Sequence, residues 1–331
     1  MAIIVTPDPK ATGIELRPYA GEADLVEIVR LQNAEAVSDG LQRRTSLEEV
    51  AAEFSHPSPS FDPARDVTLA EVDGKVVAVA QREVVDTTDG YREYRLDGVV
   101  DPAWRRRGVG RTVLAESERL ARRLAADERP ASPVFGSWSW ESQVGDTAVL
   151  RAAGFEPARW FFDMVRPNLD DIPDVSLPEG IEIRPIDKML ARKVWDADVE
   201  AFADHWGGFD HSEEHLQRWL DSPTTDVSIW VIAFEGDEVV AGVVNGIDED
   251  QNAALGVRRG WLQSVFTRRP WRRRGLASAL IARSLEVLRE RGQTSAALGV
   301  DADNPSGALG LYEGLGFAVD ERAIAWRKAM S

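Results

Sequence analysis

Trp104-Arg105-Arg106-Arg107-Gly108-Val109-Gly110 and Trp271-Arg272-Arg273-Arg274-Gly275-Leu276-Ala277 are two copies of one phrase in a chain of 331 residues. Each follows a β-rich stretch, Val99-Val100 in the first case and Val265-Phe266-Thr267 in the second, and each opens a long amphipathic run with helical periodicity. A short glycine-bearing loop that enters a helix leaves the first amides without intrahelical partners, and the helix dipole favours negative charge there. Such a loop is a cradle for phosphate. Two of them point to two related nucleotide-cofactor folds in one polypeptide.

The surrounding sequence repeats as well. Gly275 lies 275 − 108 = 167 positions after Gly108, and Ile14-Glu15-Leu16-Arg17-Pro18 returns at the same offset as Ile181-Glu182-Ile183-Arg184-Pro185. Gly154-Phe155 returns as Gly316-Phe317 at an offset of 162. Landmarks in one order at nearly one offset mean an internal duplication, with a period of domain size rather than solenoid size. Two domains of ordinary size fit the length. The expected division is a first domain over 1–167, a proline- and acid-rich linker over 168–180, and a second domain over 181–331.

Composition narrows the setting. No cysteine is present, which excludes a disulfide framework and a thiol nucleophile. The start of the chain lacks the basic and long apolar regions of a secretory signal, and no apolar run is long enough to span a bilayer, so a cytoplasmic protein without a membrane partner is expected. The net charge of −17, with a pI near 4.8, argues against a nucleic-acid surface. The arginine clusters 105–107 and 272–274 are local basic spots suited to a small polyanion.

Both halves carry the same string of elements. In the second half, 181–185 reads as a strand, 188–203 as a helix, and a further helix starts at Ser212, a fitting N-cap before Glu213 and Glu214. Runs 227–234 and 239–244 form a hairpin, and 261–267 is the strand before the loop. A helix over 276–291, a strand over 296–300, a helix over 305–314 and closing strands over 317–326 follow. The first half repeats this with a hairpin around Asp73-Gly74, a strand to Val100, a helix over 109–126, a strand near 134–138 and a helix to Ala153. The fold class is α/β (α+β), with a mixed, largely antiparallel central sheet flanked by helices in each half.

With these motifs in place, the chain resembles tandem-domain members of the GNAT acetyltransferase superfamily over nearly its whole length. The family loop, Gln/Arg-x-x-Gly-x-Gly/Ala, appears as Arg105 to Gly110 and Arg272 to Ala277. A second family signature, Asn-x-x-Ala-x-x-x-Tyr-x-x-x-Gly-Phe, appears one residue looser as Asn304, Ala308, Tyr312 and Gly316-Phe317. The linker and the start of the second half also resemble mycothiol synthases, a two-domain branch. The resemblance implies acetyl-CoA as co-substrate, lying between the two central strands. Its pantetheine would pair with Val265, Phe266 and Thr267, its pyrophosphate would rest on the amides of Arg272, Arg273, Arg274, Gly275, Leu276 and Ala277, and Asn304 would flank the site. In the first half, Val99, Val100, Arg105, Arg106, Arg107, Gly108, Val109 and Gly110 would form the equivalent cradle.

The resemblance also implies the chemistry: acetyl transfer to a primary amine of a small molecule by direct attack. A backbone N–H at or near Phe266 would polarise the thioester carbonyl, and Tyr312 would protonate the departing thiolate. The first half departs from this pattern. Position 150, equivalent to Tyr312, is leucine, and position 142, equivalent to Asn304, is serine. The first domain is therefore expected to be non-catalytic. A general base is less legible. Many relatives carry a carboxylate on the strand before the loop, whereas Trp261, Gln263 and Ser264 stand here. Asp204 and His205, in the segment joining the first two helices of the second half, are the candidates for drawing in an amine and taking its proton.

Two rival classes remain. His211-Ser212-Glu213-Glu214-His215 matches a zinc-protease pattern, but Ser212 as N-cap would leave His211 outside the helix and spoil the ligand spacing, so no metal is expected. A non-catalytic CoA-binding or sensing protein is the other, against which Tyr312 argues. The oligomeric state is open and a monomer is compatible.

Overall fold

Residues 13–55, 57–58, 60–203, 205–207, 212–222, 224–304 and 307–330 are described here from a computed structural model. In chain order the elements begin with β1 (Glu15–Pro18), α1 (Glu22–Asp39), α2 (Leu47–Ser55), α3 (Pro63–Asp66), β2 (Val67–Val72), β3 (Lys75–Asp86), β4 (Arg92–Val100), α4 (Val109–Glu128), β5 (Pro133–Trp140), α5 (Val144–Ala152) and β6 (Glu156–Arg166). They continue with β7 (Glu182–Arg184), α6 (Lys188–Ala201), α7 (Glu213–Asp221), β8 (Val231–Glu235), β9 (Glu238–Ile247), α8 (Glu249–Leu255), β10 (Arg259–Thr267), α9 (Leu276–Glu290), β11 (Ser295–Asp301), α10 (Ala308–Gly314) and β12 (Ala318–Ala329).

Two compact units emerge. The first comprises the chain up to Arg159 together with Trp206–Arg218 and Ala323–Ser331; the second comprises Trp160–His205 and Trp219–Arg322. In the first, the strand order is β1-β2-β3-β4-β5-β12, antiparallel except for β4 beside β5. Asp73 and Gly74, with φ of 52° and 74°, turn the β2–β3 hairpin in the left-handed conformation that matches strand twist. In the second, the order is β7-β8-β9-β10-β11-β6, antiparallel except for β10 beside β11. The duplication in sequence is thus a duplication of sheet topology.

The repeat does not reveal which sheet each closing strand completes. In the first unit, Ala323–Ala329 pairs with Trp140–Val134 of β5. Trp326 is buried and donates through Nε1 to Ser139 Oγ at 2.9 Å, while Lys328 pairs with Glu118 at 2.6 Å. In the second unit, Phe161–Arg166 pairs with Asp301–Ala296 of β11. There the buried Arg166 guanidinium donates to the carbonyl oxygens of Leu315, Asn168 and Asp171. Gly316, at φ 84°, leaves the room that this guanidinium fills.

Each face of the second sheet has its own core. Leu276, Leu280, Ile281, Leu285 and Leu288 of α9 pack with Val231, Val243, Leu262 and Leu298 on one face. Ala191, Val194 and Ala197 of α6 pack with Ile232, Val244 and Phe266 on the other. Each fully buried aliphatic side chain contributes about 1.5–3 kcal/mol. The α6 helix starts where Asp187 accepts from Leu190 N at 2.9 Å, an N-cap. Two local differences from the sequence expectation have the same origin. Asp226 accepts from Ser228 N at 2.9 Å and turns 227–229 into a 3-10 turn before the strand, and Asp248 caps the unexpected short helix α8 through Gln251 N at 2.8 Å. At 227–229 the short-range cap outweighs the β propensity of Val227 and Ile229, and at α8 it starts a helix in a run without β-branched residues.

Candidate active site

The parallel ladder between β10 and β11 covers only Arg259–Leu262 against Ser295–Leu298. Beyond it, β10 continues to Thr267 bonded to β9, and β11 continues to Asp301 bonded to β6. The strands part after Leu262 and Leu298, so each presents a backbone edge to the gap. An open edge of this kind pairs with an extended ligand. The parting coincides with one extra residue on β10: Leu262 faces Asn245, but Ser264 faces Val244, leaving Gln263 as a bulge. Bulges bend the strand that carries them and re-aim its side chains. The absence of a side chain at Gly246 makes room for it, since a Cβ there would sit 2.6 Å from Gln263 Cδ.

At the end of β10 the loop takes a specific shape. Arg273 has φ 62° and Gly275 has φ 83°, and Gly275 caps α9 with no side-chain hydrogen bond. Left-handed residues in so short a turn gather amides into an anion-binding concavity. A Cβ at Gly275 would meet nothing within 4 Å, so the concavity faces open space. Arg272 to Gly275 are exposed. Arg272 donates to Thr267 O through Nε and to Ala201 O through Nη2, both at 3.0 Å, so its partners are neutral and its charge persists. Arg274 reaches Glu235 at 3.4 Å across water-exposed surface, a weak pairing. The backbone and the arginines fit a diphosphate.

Tyr312 lies on α10, 6 % exposed, in the core that contains α9 and packs against Val265 and Trp271. Burial alone pushes its phenol up to about 12. Its ring meets Phe317 edge-on at 6.2 Å. Phe266 is buried on the opposite face, against α6, where Gly242 leaves space for its ring.

The α6 face carries a group that the motif reading passed over. Asp198 is 6 % exposed, and Ser264 Oγ donates to its Oδ1 at 2.5 Å. Burial raises its carboxyl to about 6, which the Ser264 bond only partly offsets. Asp198 stands in no local motif. The available signal was an acid at an inward position of an amphipathic helix.

The remaining expected residues fall as follows. Val265, Phe266, Thr267 and the loop from Arg272 to Ala277 form one continuous wall, and Arg272 ties that wall to the end of α6. His205 follows α6, donates its N–H to Phe202 O at 2.8 Å and has Phe202 and Phe161 rings at 5.5 and 6.5 Å. Asn304 sits in the turn after β11. Asp204 and His211 lie outside the described residues. Ser212 Oγ accepts from His215 N at 3.2 Å, the N-cap bond expected of it.

The first unit has the same loop and a different gap. Arg106 and Gly108 have φ of 61° and 86°, matching their counterparts within a few degrees. However, β3 and β4 pair without interruption from Ala78–Val100 to Asp86–Arg92. Past the β4–β5 ladder, Ser137 Oγ donates to Leu96 O at 2.8 Å and Trp138 N donates to Asp97 Oδ1 at 3.2 Å. Arg105 is paired with Asp39 at 2.5 Å and Glu35 at 3.2 Å. Val99 and Val100 pack into apolar clusters.

A parted pair of central strands beside an anion cradle, in a six-stranded mixed sheet, is the architecture of a CoA-dependent acyltransferase. The model of the acetyltransferase (GNAT) family matches residues 27–130 and 192–317. The chain belongs to that family and is an acetyltransferase by membership. A mycothiol acetyltransferase of Geodermatophilus obscurus is 28 % identical over 314 residues, covering 93 % of this chain and 95 % of that one. Another, from Brachybacterium faecium, is 31 % identical, covering 70 % and 67 %. Among solved structures, a GCN5-related N-acetyltransferase from Sphaerobacter thermophilus is 26 % identical with a TM-score of 0.70, covering 98 % and 97 %. A tandem GNAT protein from the clavulanic acid biosynthesis pathway shares the fold at 16 % identity and a TM-score of 0.70, covering 96 % and 99 %. No described helix is long and apolar enough to cross a membrane.

Proposed function

We propose that the second unit moves an acetyl group from acetyl-CoA to the primary amine of a small molecule, with Tyr312 as general acid. The observation that carries this reading is the gap between β10 and β11 beyond Leu262 and Leu298, ending at the exposed amides around Gly275. The pantetheine arm lies along the free edge of β10 at Val265 to Thr267, and the pyrophosphate rests on the loop. A neutral amine attacks the thioester carbon. The C–N bond forms, the carbonyl oxygen is stabilised by a β10 amide near Phe266, and the C–S bond breaks as the carbonyl returns. The leaving thiolate takes the Tyr312 proton, and the surplus proton of the new amide nitrogen restores the phenol. A phenol held near 12 is protonated throughout the neutral range, as an acid in this step must be.

The relatives named mycothiol acetyltransferase favour a mycothiol-type amine as acceptor. The first unit contributes structure and no chemistry, because Leu150 stands where an acid is needed. Release of free CoA thiol from acetyl-CoA across a panel of amines tests the reading. Tyr312→Phe should lower kcat by roughly 10²–10⁴-fold with little change in the KM for acetyl-CoA. Unchanged turnover removes Tyr312 from the mechanism.

A further inference from the structure

We infer that Asp198 is the proton acceptor for the incoming amine and that Ser264 relays the proton to it, an assignment that rests on the acetyl-transfer reading above. An amine arrives at neutral pH as an ammonium ion and must lose a proton before it can attack. Strand β10 has no acid of its own, but its bulge turns Ser264 onto the α6 face, directly after the point where β10 leaves β11. There Asp198 meets the Ser264 hydroxyl at 2.5 Å, and that hydroxyl is the hydrogen-bond partner of its carboxyl among the described residues. A buried carboxylate with one such bond retains unused acceptor capacity, which is costly unless something else uses it.

The placement suits the chemistry. Asp198 and Ser264 lie on the α6 face, whereas Tyr312 belongs to the core on the α9 face. Base and acid therefore approach the gap from opposite sides, one for the amine and the other for the thiolate. In the step, the ammonium gives a proton to Ser264 Oγ while Ser264 gives its own to Asp198 Oδ1. The products are a neutral amine and a carboxylic acid, which returns its proton to solvent after turnover. The charged groups near this end of α6 are engaged elsewhere. Arg268 bonds Glu200 at 2.8 Å and reaches Glu238 at 3.4 Å, and Arg272 bonds carbonyl oxygens. Across α6, β9 contributes the apolar Val244, and β10 contributes Ser264 and Phe266. Burial rather than a neighbouring charge raises the carboxyl to about 6, so it accepts protons close to neutrality.

The test uses two nucleophiles near pH 7: benzylamine, an ammonium ion there, and hydroxylamine, a free base there. With intact protein and acetyl-CoA, Asp198→Asn should lose roughly 10²–10⁴-fold in thiol release with benzylamine and keep most of its rate with hydroxylamine. Ser264→Ala should show the same selectivity. The benzylamine rate of Asp198→Asn should also lose the dependence on a group titrating below neutrality that the parent protein shows. A variant that merely distorts the fold slows both nucleophiles together; that result, or an unchanged benzylamine rate, overturns the assignment while acetyl transfer stands. Parent protein that releases thiol with neither nucleophile overturns the acetyl-transfer reading, and the base falls with it.

Discussion

The two units share one loop and differ in the strand that feeds it. Arg106 and Arg273 have the same left-handed φ, and so do Gly108 and Gly275. The strands before them diverge at equivalent positions. Asp97 bridges from β4 to Trp138 N, while its counterpart Ser264 points away from β11 to bond Asp198. Leu31 occupies the position of Asp198 and is fully buried in its core. Arg105 is held by the acid side chains of Glu35 and Asp39, while Arg272 is held by two carbonyls. The loop's backbone geometry thus persists even where the gap beside it is bridged. Loop shape and an open gap are separable, and in the first unit the bonds from Ser137 and Trp138 to β4 cross the gap beside an intact loop.

The largest effect that would break this comparison comes from placing the same strain in both loops. Gly275→Val forces a β-branched residue to φ 83° and fills the concavity. Losing two or three charge-assisted hydrogen bonds to phosphate predicts a fall of about 10²–10³-fold in kcat/KM for acetyl-CoA. Gly108→Val meets the same backbone penalty, about 1–3 kcal/mol of stability, with kcat/KM near that of the parent protein. Equal kinetic losses would show that both cradles work. Calorimetric titration with CoA checks the next step down: one site per chain is expected, and two would mean that the Asp97 bridge opens readily. Exchanging the bridge sharpens the point. Ser264→Asp should weaken CoA binding roughly tenfold, about 1.4 kcal/mol. Asp97→Ser should create no second site, because Ser137 Oγ still bonds Leu96 O across the gap.

Much of this was legible in the sequence, because duplication, loop and periodicity are local or periodic signals. The repeat at 167 residues reappears as two six-strand runs of equal order, and a left-handed turn enters α9 where the loop over 272–277 leads one to expect it. Long-range pairings left no such trace. Nothing in 318–329 states that Ala323–Ala329 completes the sheet of the first unit, since strand pattern fixes a face and not a partner. The bulge was hidden because it is one residue of register, accommodated by Gly246 on another strand. Asp198 was hidden because its meaning depends on Ser264, 66 residues away. Strand β10 carries no acid, and the helix packed across it places Asp198 against Ser264.

An effect on stability alone concerns the acids that hold Arg105. Glu35 is 6 % exposed and accepts from Gln143 Nε2 at 3.0 Å as well as from Arg105. Burial first, then the nearby Asp146, raises its carboxyl to about 8, and Arg105 only partly opposes the rise. Asp146 is itself raised to about 6 by burial. A folded-state value above the unfolded one means that the fold prefers the protonated acid. The stability Glu35 contributes is therefore complete below about pH 4.5 and lost as the pH rises through about 8. Glu35→Gln keeps the shape and removes the titration, so the two proteins should melt alike near pH 4.5, with the variant more stable by ~1–3 kcal/mol above pH 8. Thermal unfolding across that range measures it. Parallel curves would mean that Arg105 holds Glu35 ionised in the fold. The equivalent position in the second unit is Phe202, so a titrating acid at this point of α1 is confined to the unit whose loop arginine it contacts.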